Sequence, residues 1–113
     1  MIDQAKKIQG CLFGLAVGDA LGGPAEGMNI EEVKKRFGRI EDFLSDDQGG
    51  SDDTEYALFN VRLLLMHGDN LTSDIVADAW LNDIASGRSD FKGAGFSEVI
   101  AINNLRRGIR PPL

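Results

Sequence analysis

Residues Gly10 to Gly27 read GCLFGLAVGDALGGPAEG, and the fold turns on whether this stretch lies in a bilayer or in water. Gly10, Gly14 and Gly18 recur every four residues, the spacing that lets transmembrane helices pack closely. Lys6 and Lys7 just before this stretch and Asp19 within it argue against a span. The expectation is a soluble helix over residues 3–22. Ile8, Leu12, Leu15 and Ala16, with Cys11, share one apolar face. The glycines then form a smooth stripe that another helix approaches closely.

Outward from this helix the chain reads as further helices joined by Gly- and Asp-rich loops, with no strand signal. NIEEVKKRFG, Asn29 to Gly38, has a cap at Asn29, the capping-box partner Glu32 three residues on, and a left-handed stop at Gly38. Residues 39–50 form an irregular acidic loop. A third helix is expected from Asp52 to His67, ended by Gly68. Ala57, Leu58, Val61, Leu63, Leu64, Leu65 and Met66 make it apolar nearly all round, so it should be buried on several sides. A fourth runs from Thr72, its N-cap, to Ala85, with Ile75, Val76, Ala79, Trp80 and Ile84 inward. A fifth spans Phe96 to Arg107 and stops at Gly108, Pro111 and Pro112.

Composition bounds the rest. A chain of 113 residues supports one small domain. Its net charge of −6 disfavours nucleic acid and anionic membrane as partners. Arg106, Arg107 and Arg110 are too few to reverse that. The one cysteine, Cys11, excludes an internal disulfide and suits a reducing compartment. The start, MIDQAKKIQG, lacks the apolar core of a signal peptide, and no apolar run is long enough to span a bilayer. A soluble, cytoplasmic protein is expected.

The chemistry-bearing stretch is GGSDDTEYAL, Gly49 to Leu58. If Ser51 caps the third helix, then Asp52, Asp53 and Thr54 form its first turn, and their side chains lean past the helix end. Capping and the helix dipole alone account for an isolated Ser-Asp-Asp-Thr. A hard divalent cation would also relieve the repulsion between the two carboxylates, and Ser51, Asp52 and Asp53 would supply part of its oxygen shell. Gly49 and Gly50 would let a substrate or a second segment come close. A two-metal site needs further carboxylates from elsewhere.

The combination of Gly10–Gly27, Glu26 after its G-D-A-L-G run, and Ser-Asp-Asp-Thr resembles the N-terminal part of the ADP-ribosylglycohydrolase family, along nearly the whole chain. That family includes dinitrogenase-reductase-activating glycohydrolases and the ADP-ribosyl-arginine and ADP-ribosyl-serine hydrolases. The resemblance implies an all-α fold, a multi-helix orthogonal bundle of which residues 1–113 are the N-terminal part. It implies a hydrolase that frees ADP-ribose from modified protein side chains or small conjugates by cleaving the bond at ribose C1. It also implies a binuclear Mg²⁺ or Mn²⁺ centre that polarises the distal ribose and helps place the attacking water.

Carried over by residue, Ser51, Asp52 and Asp53 match the first metal motif, with serine in place of the more usual threonine. Glu26 matches an acidic residue that in relatives acts as ligand or gate. Glu26, Asp52 and Asp53 are thus the implied catalytic residues; Asp19 reads as structural or as a support to the ligands. The family's second motif, D-x-D-[S/T], has no counterpart here, since Asp69, Asp74, Asp78, Asp83 and Asp90 are scattered. The chain therefore reads as half of a site. The expectation is a fragment of a longer enzyme, a chain completed by another polypeptide, or an inactive, non-catalytic module that binds ADP-ribose or a partner. His67 reads as a helix-end residue, since one histidine without a nearby nucleophile makes no triad. Cys11 reads as a small core residue. Trp80 could stack on adenine, but its spacing suits the core. The RGIRPPL tail reads equally as a helix stop or as a segment facing substrate.

Overall fold

The structure, a computed structural model, describes residues 3–86 and 95–111. Five α-helices follow one another: α1 (Gln4–Gly22), α2 (Ile30–Phe37), α3 (Asp52–His67), α4 (Ser73–Ala79) and α5 (Phe96–Arg106). The described residues contain no strand, so the all-α reading holds. The chain divides into two compact units, Met1–Ala57 and Leu58–Leu113, and the division falls within α3.

In the first unit, α1 starts at Asp3, whose side chain accepts from the Ala5 amide at 3.2 Å. It ends in a 3₁₀ turn, Gly23–Ala25, where Pro24 suits the first turn because its missing N–H would have no partner there. α2 carries the expected capping box. Asn29 Oδ1 accepts from the amides of Glu31 and Glu32, at 3.1 and 3.0 Å, and Glu32 Oε2 accepts from the Asn29 amide at 2.9 Å. Gly38 stops the helix at φ 70°, a conformation that side chains disfavour. Residues 39–50 are irregular, as read. Gln48 ties this loop to α1: its side-chain amide donates to the Ala20 carbonyl, and its Oε1 accepts from the Leu44 amide at 2.7 Å.

Two expectations for α1 fail. Cys11, Ile8 and Leu15 are exposed rather than core residues. Nor, among the described residues of this unit, does anything approach the glycine stripe: a Cβ placed on Gly10, Gly14 or Gly18 would meet nothing within 4 Å. Among the described residues of this unit the one buried apolar residue is Ala20, next to Asp19. Periodicity predicted a covered apolar side, but the described residues place no layer over it.

The second unit gathers the remaining core. Phe59 and Leu63, four apart on α3, are buried, as are Ala77 and Ile84. The expectation that α3 is enclosed on several sides is not met: Leu58, Leu64, Leu65 and Met66 are all more than half exposed. A run of consecutive leucines points all round a helix, while the described residues cover only the Phe59–Leu63 side. The fourth helix is also not one α-helix to Ala85. After Ala79 it widens into a π-helical turn, Trp80–Ile84, closed by the Ala85 amide donating to the Trp80 carbonyl at 2.8 Å. Thr72 caps α4 as read, accepting from the Ile75 amide. α5 packs against the π turn, and Arg106 donates to the Ala85 carbonyl at 2.9 Å. Gly108, at φ 78°, ends α5, and Pro112 lies outside the described residues.

No described helix is long and apolar enough to cross a membrane.

Candidate active site

The N-terminus of α3 forms in an unexpected way. Ser51 precedes the helix, and its carbonyl accepts from the Glu55 amide at 3.3 Å, as an N-cap residue's should. Its side chain does not cap, which corrects the sequence reading. Instead the Ser51 hydroxyl donates to Asp19 Oδ1 at 2.6 Å. Asp19, reaching over from α1, does the capping. Its Oδ2 accepts from the Ser51 amide at 2.7 Å and from the Thr54 amide at 3.1 Å, the third helical N–H that a cap ordinarily serves. Thr54 Oγ1 donates to the same oxygen.

One carboxylate thus takes hydrogen bonds from four donors on two residues. Burial alone would raise its pKa. The hydroxyls of Ser51 and Thr54, with their two amides, outweigh that and take it down to about 2. Asp19 is badly placed for its own helix, near the C-terminal end of α1, where the dipole disfavours an anion. It is well placed for α3, whose N-terminus favours one.

Gly50 makes the contact possible. A Cβ there would lie 2.6 Å from Thr54 Oγ1, closer than real Cβ atoms come, and 3.1 Å from Asp19 Oδ2. Gly49 has open space. The glycine pair was read as room for a substrate or a second segment, and at Gly50 the room is taken by Asp19 and Thr54.

Beside this junction lies a cleft of about 590 Å³, lined by Gly14, Gly18 and Gly22 of α1, by Asp19, and by Glu26, Ser51 and Asp53 among others. The glycine stripe is therefore a floor without side chains. Glu26 is brought to the wall by the 3₁₀ turn: its amide donates back to the Gly23 carbonyl at 3.2 Å, and Gly27, at φ 74°, turns the chain away. Three of the four expected site residues, Glu26, Ser51 and Asp53, line this one cleft. Asp52, half-buried on the same turn, is not among its lining residues.

The donor set is carboxylate and hydroxyl oxygen, which suits a hard divalent cation. Because Ser51 gives its only proton to Asp19, its oxygen keeps lone pairs for a ligand. Among the described residues no three His, Cys, Asp or Glu side chains meet in a metal-binding group.

Three of the scattered aspartates of the second half, Asp74, Asp78 and Asp83, pair with arginines. Arg110 pairs with Asp78 at 2.7 Å and with Asp74 at 3.7 Å, and Arg62 pairs with Asp83. Asp90 lies outside the described residues. The Arg110 pairing ties the tail to α4. Trp80, half-buried, lines an apolar cleft of about 560 Å³ within the second unit, with Val76, Ala77, Leu105 and Ile109. His67 is half-buried in the last turn of α3.

Sequence reasoning missed Gln48 altogether, placed Thr54 in the first turn of α3 without a role, and assigned Asp19 no partner. Separations of 28 to 35 residues leave no local pattern. The one available signal was Asp19 itself, an acid near the wrong end of a helix with no basic residue in its last turn.

The family model for ADP-ribosylglycohydrolases matches residues 1–113. An uncharacterised protein of Archaeoglobus fulgidus is 33% identical over 114 residues, covering 92% of this chain and 35% of the relative. The chain thus spans about a third of that relative's length. No solved structure matches it significantly. With a match over its full length, and with the G-D-A-L-G aspartate and the Ser-Asp-Asp-Thr turn joined at one cleft, the chain belongs to the ADP-ribosylglycohydrolase family.

Proposed function

We propose that this chain supplies part of the active centre of a metal-dependent hydrolase that releases ADP-ribose from ADP-ribosylated protein side chains or small conjugates, in the cytoplasm. The observation that carries the reading is the convergence of Glu26, Ser51 and Asp53 on one glycine-floored cleft. Ser51 and Asp53, with Asp52 beside them, would hold Mg²⁺ or Mn²⁺, in a binuclear centre once further carboxylates are supplied by more polypeptide. A bound cation would add Lewis-acid polarisation of the ribose hydroxyls.

The chain's own residues do the rest. Asp53 and Ser51 line the cleft that the sugar would enter, where they would hold the cation. The glycine floor admits the ribose without steric cost. Glu26 at the wall orients a water and accepts its proton as the new C1–O bond forms. The bond from C1 to the side-chain nitrogen or oxygen breaks at the same time, and the leaving group takes up a proton.

The test is release of ADP-ribose from ADP-ribosyl-arginine and ADP-ribosyl-serine peptides by the intact polypeptide. We expect turnover that requires Mg²⁺ or Mn²⁺ and stops with a chelator. Asp53→Asn, Asp52→Asn and Glu26→Gln should each lower it by about 100-fold or more, the scale of a lost acid–base group or ligand. Full turnover in Asp53→Asn would overturn the assignment. Binding of ADP-ribose without turnover would instead favour a non-catalytic module.

A further inference from the structure

Asp19 accepts two hydroxyl and two amide hydrogen bonds from Ser51 and Thr54, and Gly50 is kept bare to let them meet. A helix cap needs far less. A single side-chain oxygen on the third amide suffices, and Ser51 could have provided it from its own position. The sequence instead brings a carboxylate from α1, and the serine hydroxyl is turned away from its own helix.

This arrangement has two effects that capping does not require. First, the Ser51 proton is fixed on Asp19, so the lone pairs of Oγ are left for another partner, and the hydrogen bond to an anion makes that oxygen a stronger donor. Second, the turn that carries Asp53 is held from both ends, at Ser51 and at Thr54, by a group anchored in the helix whose glycines floor the cleft.

We propose that Asp19, with Thr54, is a positioning residue for the cation site. It sets the orientation and donor strength of Ser51 and the direction of the Asp53 turn, without itself meeting the cation. This rests on the cation reading given above for Ser51 and Asp53.

The substitutions that probe it differ in what they leave. In Asp19→Asn the amide group presents its own N–H donors to a cluster made of donors, so either Ser51 or Thr54 must turn away. Thr54→Val removes one hydroxyl at nearly constant shape. Thr54→Ser keeps it.

The experiment measures Mn²⁺ binding to the intact polypeptide by the paramagnetic resonance signal of the free ion. It is made at a temperature where circular dichroism shows each variant folded. The wild type should bind Mn²⁺, and Asp53→Asn should bind it much more weakly. Asp19→Asn should weaken binding about tenfold or more, as loss of a group that orients ligands does. Thr54→Val should weaken it roughly fivefold, the worth of one hydrogen bond, and Thr54→Ser should restore it. If Asp19→Asn and Thr54→Val unfold more easily yet bind Mn²⁺ as the wild type does, Asp19 is a cap only and the proposal fails while the cation reading stands. If the wild type itself binds no better than Asp53→Asn, the cation reading fails and takes this proposal with it. Should Asp19→Asn not fold, the Thr54 pair decides alone: equal affinity in the valine and serine variants overturns the proposal.

Discussion

At the scale of single residues, Asp19 decides how the first unit responds to acid. Its folded pKa of about 2 lies below the roughly 3.9 of an unfolded aspartate. The sign follows from that order. The carboxylate's contribution to stability is complete above about pH 4, because it is then ionised in both states. It is lost as the pH falls toward 2, where the folded form must also take up its proton. Urea unfolding in the presence of chelator, followed through the amide signals of Ser51 and Thr54, should show stability falling across this interval. Asp19→Asn should lack that fall while being less stable at neutral pH. A variant with the wild-type slope would assign the acid response to another carboxylate.

At the scale of elements, the helix ends that rest on neighbours in sequence were legible, and those that rest on distant residues were not. α2 was read correctly to the residue because Asn29, Glu32 and Gly38 act within one or two turns. Its capping box is exposed and does one thing only. Asn29→Ala should therefore cost about 1 kcal/mol, seen as a lower urea midpoint at unchanged slope. Thr72 was legible for the same reason. α3 was placed correctly at Asp52–His67, but the device at its start was not, since its cap comes from another helix. The π turn after Ala79 was also invisible: its apolar spacing fits an α-helix nearly as well, and the difference lies in backbone bonds such as that from Ala85 to Trp80. The candidate site was half legible. Glu26, Ser51 and Asp53 were identified through family resemblance and meet in one cleft, while the support from Asp19, Thr54 and Gly50 has no signature along the chain.

At the scale of the whole molecule, the notable property is apolar surface. Phe13, Leu65 and Phe96 are 72, 82 and 91% exposed, and Leu58, Leu64, Met66 and Ile100 are each more than half exposed. Scattered exposed leucines are ordinary, but this many large side chains is not. These 113 residues expressed alone should bind a hydrophobic dye such as anilinonaphthalene sulfonate strongly in native buffer. Leu65→Lys together with Phe96→Lys should reduce the signal without loss of helical circular dichroism. Dye binding at background level would show that the exposed side chains are covered in solution. The curated relative, of which this chain spans 35%, offers polypeptide that could do so in its own case.

The exposure of Cys11 has a practical consequence as well. It is the one thiol in the chain, and it stands on the helix that floors the cleft. A nitroxide attached there needs no cysteine removed elsewhere. At about 1.5 Å of rise per residue it sits roughly 12 Å along the axis from Asp19. A spin at that distance would be broadened by a paramagnetic ion entering the cleft. The residue least involved in the chemistry is thus a built-in ruler for where such an ion comes to rest.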